Sequence, residues 1–476
     1  MTDASLPIGL ELNDMRLTES QKDLHGLYDI NGVPNNEIVE SIFYSEIIKT
    51  ARAPHITLQL PFKEEGDKYF YDTHKDFHFL AFSYMIQGLP KIVVKRESRD
   101  NFQICWCLNL GLNVANEQEL SSDTGRIQKF DQHWNNMFFQ DYFPELWDRP
   151  HFDKIIGNLP FLTNWHSYLP KYNIMVPQAW DYCMHDHKAL KLFKAKESVI
   201  RHSYRMKKTI FSLLRCRMKV DGEWKEIPAR KETEALIKRH IDFETHLLPK
   251  PQLWGRYYKV RQDELENADY PDTSYIYDVI NSDSTNPVAI DSNTYVELDS
   301  QEPCTAIHFV LENTIATQTN NHSNYTTNPT DIMEGWSPLS TVNLSYGNSS
   351  KYTYDSIHVE HAFPLFNRRT HSQPGYYYLP TEHRGGTTGT STTCVFKNNN
   401  AKLTFALADT DPFLDTLDDT SDGDTDDLAQ LLSIGTTSTD TVVKKDTFNV
   451  RVRLCVTKKA VYRDGRYFIE NEESSL

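Results

Sequence analysis

Between Asp355 and Phe405 the chain never runs more than a few β-branched or aromatic residues before a Pro-Gly, Gly-Gly or Asn-Asn-Asn break interrupts it. A stretch punctuated that often has no room for long helices and reads as consecutive strands joined by turns. The same texture starts at Ala53, where HITLQLPF, FHFLAFSYMIQGLPKIVVK and NFQICWCLNLGLNV each end in a polar cluster, Glu-Glu-Gly-Asp, Ser-Arg-Asp-Asn and Asn-Glu-Gln-Glu in turn. Strands at this spacing without intervening long helices point to β-sandwiches, not to alternating βαβ units. With 476 residues the chain exceeds what one core serves, so two sandwiches are expected. The 25 Tyr and 24 Phe against 19 Gly supply the large side chains that two β cores and their contact surfaces need.

The composition shifts suggest four segments: an N-terminal arm at 1–52, a first sandwich at 53–218, a connector at 219–250 and a second sandwich at 251–476. In the arm, Ile38, Val39, Ile42, Phe43, Ile47 and Ile48 recur at helical steps, which predicts a short amphipathic helix over Asn36 to Thr50. His133 to Tyr142 and Asp153 to Leu159 read as short helical inserts on a connecting loop. Val199 to Cys216 reads as one long strand, and Leu253 to Tyr258 as another. Phe448 to Val456 alternates apolar residues with polar or small ones and reads as the last strand. Three polar stretches, Asn281 to Asn293, Gln318 to Asp331 and Asp409 to Asp427, read as surface loops; the last holds nine Asp and no basic residue.

The formal charge of −16 argues against a nucleic-acid-binding surface, which needs clustered Lys and Arg to neutralise phosphates. Seven cysteines with no C-x-x-C pair, mostly inside apolar runs, are expected to be buried reduced thiols. No basic n-region followed by an apolar h-region opens the sequence, and no window approaches the roughly 18 apolar residues of a membrane span. A reducing cytosol is therefore the expected site of synthesis, and the sequons at Asn321, Asn324, Asn343 and Asn348 are read as chance.

Three groups have the residue types of a chemical site. Cys183-x-His185-x-His187 offers thiolate and imidazole to zinc, but no further ligand pair stands at metal spacing, so a polar turn is preferred. Asp418-x-Thr420-x-Asp422-Gly423 echoes a calcium loop, yet Ala429 stands where a bidentate Glu is needed. His358, His361 and His371, with Arg368 and Arg369, lack a paired nucleophile and read as hydrogen-bonding groups. No catalytic, cofactor or metal residues are assigned, and an enzyme is not expected.

The order of elements resembles a known family. Phe363-Pro364, then Gln373-Pro374-Gly375-Tyr376-Tyr377-Tyr378, then Thr390 to Phe396 follow the pattern of the double jelly-roll major capsid proteins of nucleocytoplasmic large DNA viruses. The first half resembles the same family through Met175 to Trp180, Ala189 to Leu192 and Val199 to Cys216, with Lys191 where the family has proline, and the second through Leu253 to Tyr258 followed by Asp263 to Glu266. This resemblance implies an all-β chain of two consecutive eight-stranded jelly rolls with short helical inserts in loops, the first closed by Val199 to Cys216 and the second opened by Leu253 to Tyr258. It further implies a homotrimer forming pseudo-hexagonal capsomers of an icosahedral shell, located in the virion and assembled in host cytoplasm. The implied partners are neighbouring capsomers, penton and minor capsid proteins and internal membrane-associated proteins, with no direct nucleic acid and no cofactor. A poxvirus-type scaffold lining a membrane during assembly shares the fold, and a carbohydrate-binding or cupin-type jelly roll is the remaining alternative.

Overall fold

A computed structural model of the chain describes residues 55–141, 149–184, 188–267, 270–284, 288–289, 294–346, 350–366, 373–381, 383–384, 391–392, 396, 400–408 and 447–470. The expected arm at 1–52 and the acidic stretch Asp409 to Asp427 lie outside these residues, as do His185, His187 and His371.

The second half shows its organisation most simply. Taken in chain order its eight main strands are Thr273–Asp283, Thr294–Glu297, Cys304–Asn313, Leu339–Tyr346, Ser350–Asp355, Tyr376–Pro380, Lys402–Leu407 and Thr447–Arg463. The first, eighth, third and sixth lie side by side in one antiparallel sheet, and the second, seventh, fourth and fifth in the other. Ile307, Phe309, Leu311, Val450, Val452 and Leu454 from one sheet meet Val296, Val342, Leu403 and Phe405 from the other in a buried core. Alternation drives this arrangement, because residues two apart on a strand share a face.

The first half repeats the same order. His55–Gln59, Lys68–Asp72, Phe79–Leu89, Ala115–Ser122, Gly125–Asp131, Tyr172–Pro177, Arg201–Met206 and Gln252–Tyr258 again pair as first, eighth, third, sixth and second, seventh, fourth, fifth. Short pieces form small sheets of their own, among them Leu214–Val220 between Phe102–Trp106 and Glu223–Glu226. The hairpin from Leu214–Val220 to Glu223–Glu226 turns on Asp221-Gly222, both at positive φ (53° and 91°), the two-residue geometry that matches strand twist.

This topology corrects three readings of the sequence. Gln252–Tyr258 does not open the second sandwich: it pairs with both Phe79–Leu89 and His55–Gln59 and closes the first. The charged segment before it, with the helix Lys231–His240, is an excursion between the seventh and eighth strands of the first sandwich. Val199 to Cys216 is also not one strand, since a 3₁₀ turn at Ile210–Ser212 separates Arg201–Met206 from Leu214–Val220, and the two pieces belong to different sheets. Likewise Thr447–Arg463 is not the last strand, because Asp464-Gly465 turns it into Arg466–Glu470.

The first helical insert forms within a residue of its expected bounds, at Gln132–Asp141, whereas the second lies at Arg149–Ile155, ahead of the expected Asp153 to Leu159. The first is not a surface ornament, since Trp134, Met137, Phe138 and Phe139 on it are buried. Asp131 caps it, accepting from the Trp134 backbone N–H at 2.8 Å.

Candidate functional site

The sheet built on Thr447–Arg463 is buried on both faces. One face fills the second core, while Ala306, Val310, Cys455, Ala460 and Tyr462 on the other join the first sandwich's core. A sheet covered on both sides reads as a nearly continuous apolar run, as CTAIHFVLEN in Cys304–Asn313 does. The two halves are thereby joined by packing. The Tyr277 ring stacks on Phe130 at 5.6 Å and on Phe138 at 6.0 Å, and Trp134 meets His308 edge-on at 5.3 Å.

Charged groups are buried within this junction. Arg453, fully buried, pairs with Asp131 of the first sandwich (Nη2 to Oδ2, 2.5 Å) and with Asp283 beside it. Arg451 donates to Glu312 at 2.8 Å, and the other Glu312 oxygen lies 3.7 Å from His133 Nε2. Burial alone would raise the Asp131 carboxyl, but Arg453, together with His133 and the Trp134 N–H, outweighs it and holds the group down at about 2. Burial would also raise Glu312, and His133 with Arg451 reverse the direction. For His133 burial wins and lowers the imidazole below its ordinary value.

The stretch Gln318 to Asp331, expected as an exposed loop, is instead buried from Thr319 to Asn328. Its polar side chains are turned to hydrogen bonding between the halves. Asn320, at φ +63°, donates through Nδ2 to the carbonyls of Phe211 (2.7 Å) and Leu214 (2.8 Å). His322 Nε2 donates to Ser212 O at 2.8 Å. Ser323 donates to Asn136 and accepts from Asn113, so two helical segments of the first sandwich hold the second sandwich's loop. The buried side chains of Asn321 and Asn324 leave those two sequons inside the protein. Asn is suited to this role because one amide both donates and accepts, and it tolerates left-handed backbone.

The family-like run Gln373 to Tyr378 belongs to the same junction. Gln373 accepts from Asn109 Nδ2 at 2.9 Å, and the Gly375 N–H donates to the buried Glu360 at 2.9 Å. Tyr376 packs edge-on against Tyr325 at 5.1 Å.

The chemical candidates are dispersed. Cys183 lies 3.5 Å from Ser83 Oγ, and burial pushes its thiol up to about 12, away from the thiolate that a metal needs. His358 and His361 sit exposed on the helical segment His358–Ala362. Among the described residues no group of three or more His, Cys, Asp or Glu is arranged to hold a metal, and no helix is long and apolar enough to cross a membrane. The six described cysteines are free thiols, five of them buried.

No family model and no curated protein matches the sequence. Solved structures do. A quasi-atomic model of the PBCV-1 virus capsid matches with TM-score 0.59 over 88% of this chain and 96% of that chain, at 13% identity. The Faustovirus major capsid protein matches with TM-score 0.55 over 86% and 91% at 6% identity. The chain is a double jelly roll. What the double jelly roll shares with these viral major capsid proteins is the fold, retained across nearly the whole length of both halves. The Sputnik virophage structure adds a third likeness, TM-score 0.50 over 88% of each chain at 7% identity.

Proposed function

We propose that this double jelly roll is a major capsid protein, three copies of which form a pseudo-hexagonal capsomer that tiles an icosahedral shell. The observation that carries the reading is the extent of the likeness, 88% of this chain against 96% of the PBCV-1 capsid chain, with both sandwiches included. The junction supports it physically. A shell subunit must present fixed edges to its neighbours, and two sandwiches locked by a shared sheet and buried ion pairs cannot swing independently. Neighbouring capsomers, penton and minor capsid proteins and internal membrane-associated proteins are the partners this role would take, with assembly in host cytoplasm. The domain division we propose runs the first jelly roll from 53 through Tyr258, with 219–250 an excursion inside it, and the second jelly roll after it. The test is mass spectrometry of purified particles: this chain should be their most abundant protein, and its absence from mature particles would contradict a capsid role.

A further inference from the structure

His55, the first described residue, stands at the end of a row that crosses its sheet. It pairs with Tyr258, Tyr258 pairs with Phe79, and Phe79 pairs with Lys191. At about 4.8 Å between neighbouring strands, the row spans about 14 Å. Ala51-Arg52-Ala53-Pro54 joins Thr50 to His55, and an extended chain covers about 17 Å over those five steps. The end of the helix expected over Asn36 to Thr50 can therefore reach Lys191 and the 3₁₀ turn Leu192–Lys194 that follows it.

At that turn the two halves enclose a cleft of about 700 Å³, with Phe193, Lys194 and Lys196 on one side and Asp272, Tyr462 and Arg463 on the other. Ligand clefts typically measure ~300–1,000 Å³. Its walls are held in place, since Lys194 pairs with Asp272 at 2.6 Å and the Glu197 N–H donates to the Gly465 carbonyl at 2.9 Å. Phe193 is half-buried, its ring edge-on to Phe79 and to Tyr270 at 5.2 Å each, so an aromatic cluster set apart from the two main cores opens into the cleft. The three cations of the lining are matched by Glu197, Asp272 and Asp464, but Lys191 lies over the Tyr462 ring at 5.4 Å and Lys75 donates to the Lys196 carbonyl at 3.3 Å. From Lys188 to Lys196 the chain has four Lys and no carboxylate. The cleft thus combines an apolar floor with a cationic surround, in a chain whose formal charge is −16.

The arm has the complementary chemistry. Residues 1–54 carry nine Asp and Glu against four Lys and Arg. The expected helix is 15 residues long, a length at which helices are marginal in water unless an apolar face is packed. We propose that the arm folds back onto its own chain and occupies this cleft, with Phe43 and Ile47 on Phe193 and Tyr462, and Glu40 and Glu46 toward Lys196 and Arg463. The short tether favours the chain's own cleft over a separate partner, because it holds the arm at a millimolar effective concentration. Docked there, the arm touches both jelly rolls and adds a third tie across their junction. This inference is independent of the capsid reading.

Hydrogen exchange and cross-linking of the full-length chain test this. Peptides over 192–197 and 462–466 should lose protection in the variant Phe43→Asp with Ile47→Asp, and peptides over 36–50 should lose it in Lys196→Glu with Arg463→Glu. Carbodiimide, which joins a carboxylate to an amine in contact with it, should link Glu40 or Glu46 to Lys196 within one wild-type chain, in the 55.3 kDa band of a denaturing gel. The cross-link is read on the wild-type protein, so it decides the matter even if a variant misfolds. Unchanged exchange in folded variants overturns the docking. Arm-to-Lys196 links found only in a band of doubled mass, which would put the arm on another copy, overturn it too, as does the absence of any such link.

Discussion

Arg453 and Asp131, 322 residues apart in sequence, face each other across the junction of the two jelly rolls, with Arg453 Nε 3.3 Å and Nη2 2.5 Å from the carboxylate. Asp131 also caps the Gln132–Asp141 helix, so a single carboxylate ties the arginine of one sandwich to the helix of the other.

Replacing Arg453 with Met should therefore lower stability well beyond the loss of a surface pair. It takes the guanidinium away from Asp131 and leaves Asp283 with its longer, 3.5 Å contact to Arg451, and breaking a buried pair typically costs about 3–5 kcal/mol. Since these carboxylates keep 19% and 31% of their side-chain surface exposed, the lower end of that range is expected. Chemical denaturation measures it, and the double variant Arg453→Met with Asp131→Asn should recover part of the loss. An unchanged midpoint for the single variant would show that the pair does not hold the halves together.

Asn320→Ala should cost about 2–4 kcal/mol, from two buried carbonyls left without donors and from a non-glycine residue kept at positive φ without its side-chain bonds. Asn320→Asp should be worse, because it aims a negative charge at the same two carbonyls. Thermal unfolding of both variants ranks them, and equal melting temperatures for all three proteins would contradict the role given to this loop.

Gly375→Ala tests how closely the family-like motif packs. A methyl group at that position would lie 2.3 Å from the Tyr325 carbonyl oxygen, at φ +86°, so the strand must move. A clear drop in melting temperature is expected, whereas Gly222→Ala, in an open hairpin turn, should strain only its own backbone and cost less.

Acid should weaken the protein well above the carboxylate range. Burial lowers His202 to about 4 and His322 to about 3, so both stay neutral in the folded chain while the unfolded chain binds their protons below about 6.5. Folded groups with depressed imidazole values lose stability as pH falls, and here the loss runs from about 6.5 down to about 4 for His202 and about 3 for His322. At pH 5 each contributes about 2 kcal/mol of destabilisation, taking about 1.4 kcal/mol per pH unit. Asp131 adds nothing until the pH falls below its unfolded value of 3.8. Denaturation midpoints at pH 7 and pH 5 check this, and His322→Asn should flatten the profile. Equal stability at the two pH values would contradict it.

The parts of the fold that the sequence made legible are those where apolar residues recur at the strand's period. Val450, Val452 and Leu454 alternate with Arg451, Arg453 and Cys455, and the strand formed where the pattern stood. That Arg453 and Cys455 on its other face are buried too was not visible in the alternation. The junction was not legible, because a polar run has the same composition whether water or protein satisfies it. Asn320 to Asn328 looks like a solvated loop until Phe211, Ser212 and Leu214 are seen to present their carbonyls to it. Leu253 to Tyr258 has a strand's composition in either sandwich, and only its pairing with Phe79–Leu89 decides which. Two Asp-Gly turns, at Asp221 and Asp464, were signals available in the sequence for the hairpins that lengthen both halves.

The capsid account stands most directly on self-association, so the deciding measurement is the mass of the purified full-length chain in solution at micromolar concentration. Light scattering should give a particle of three times 55.3 kDa that persists on dilution, as obligate interfaces of roughly 2,000 Å² or more do. A stable, folded species of 55.3 kDa under the same conditions would contradict the account.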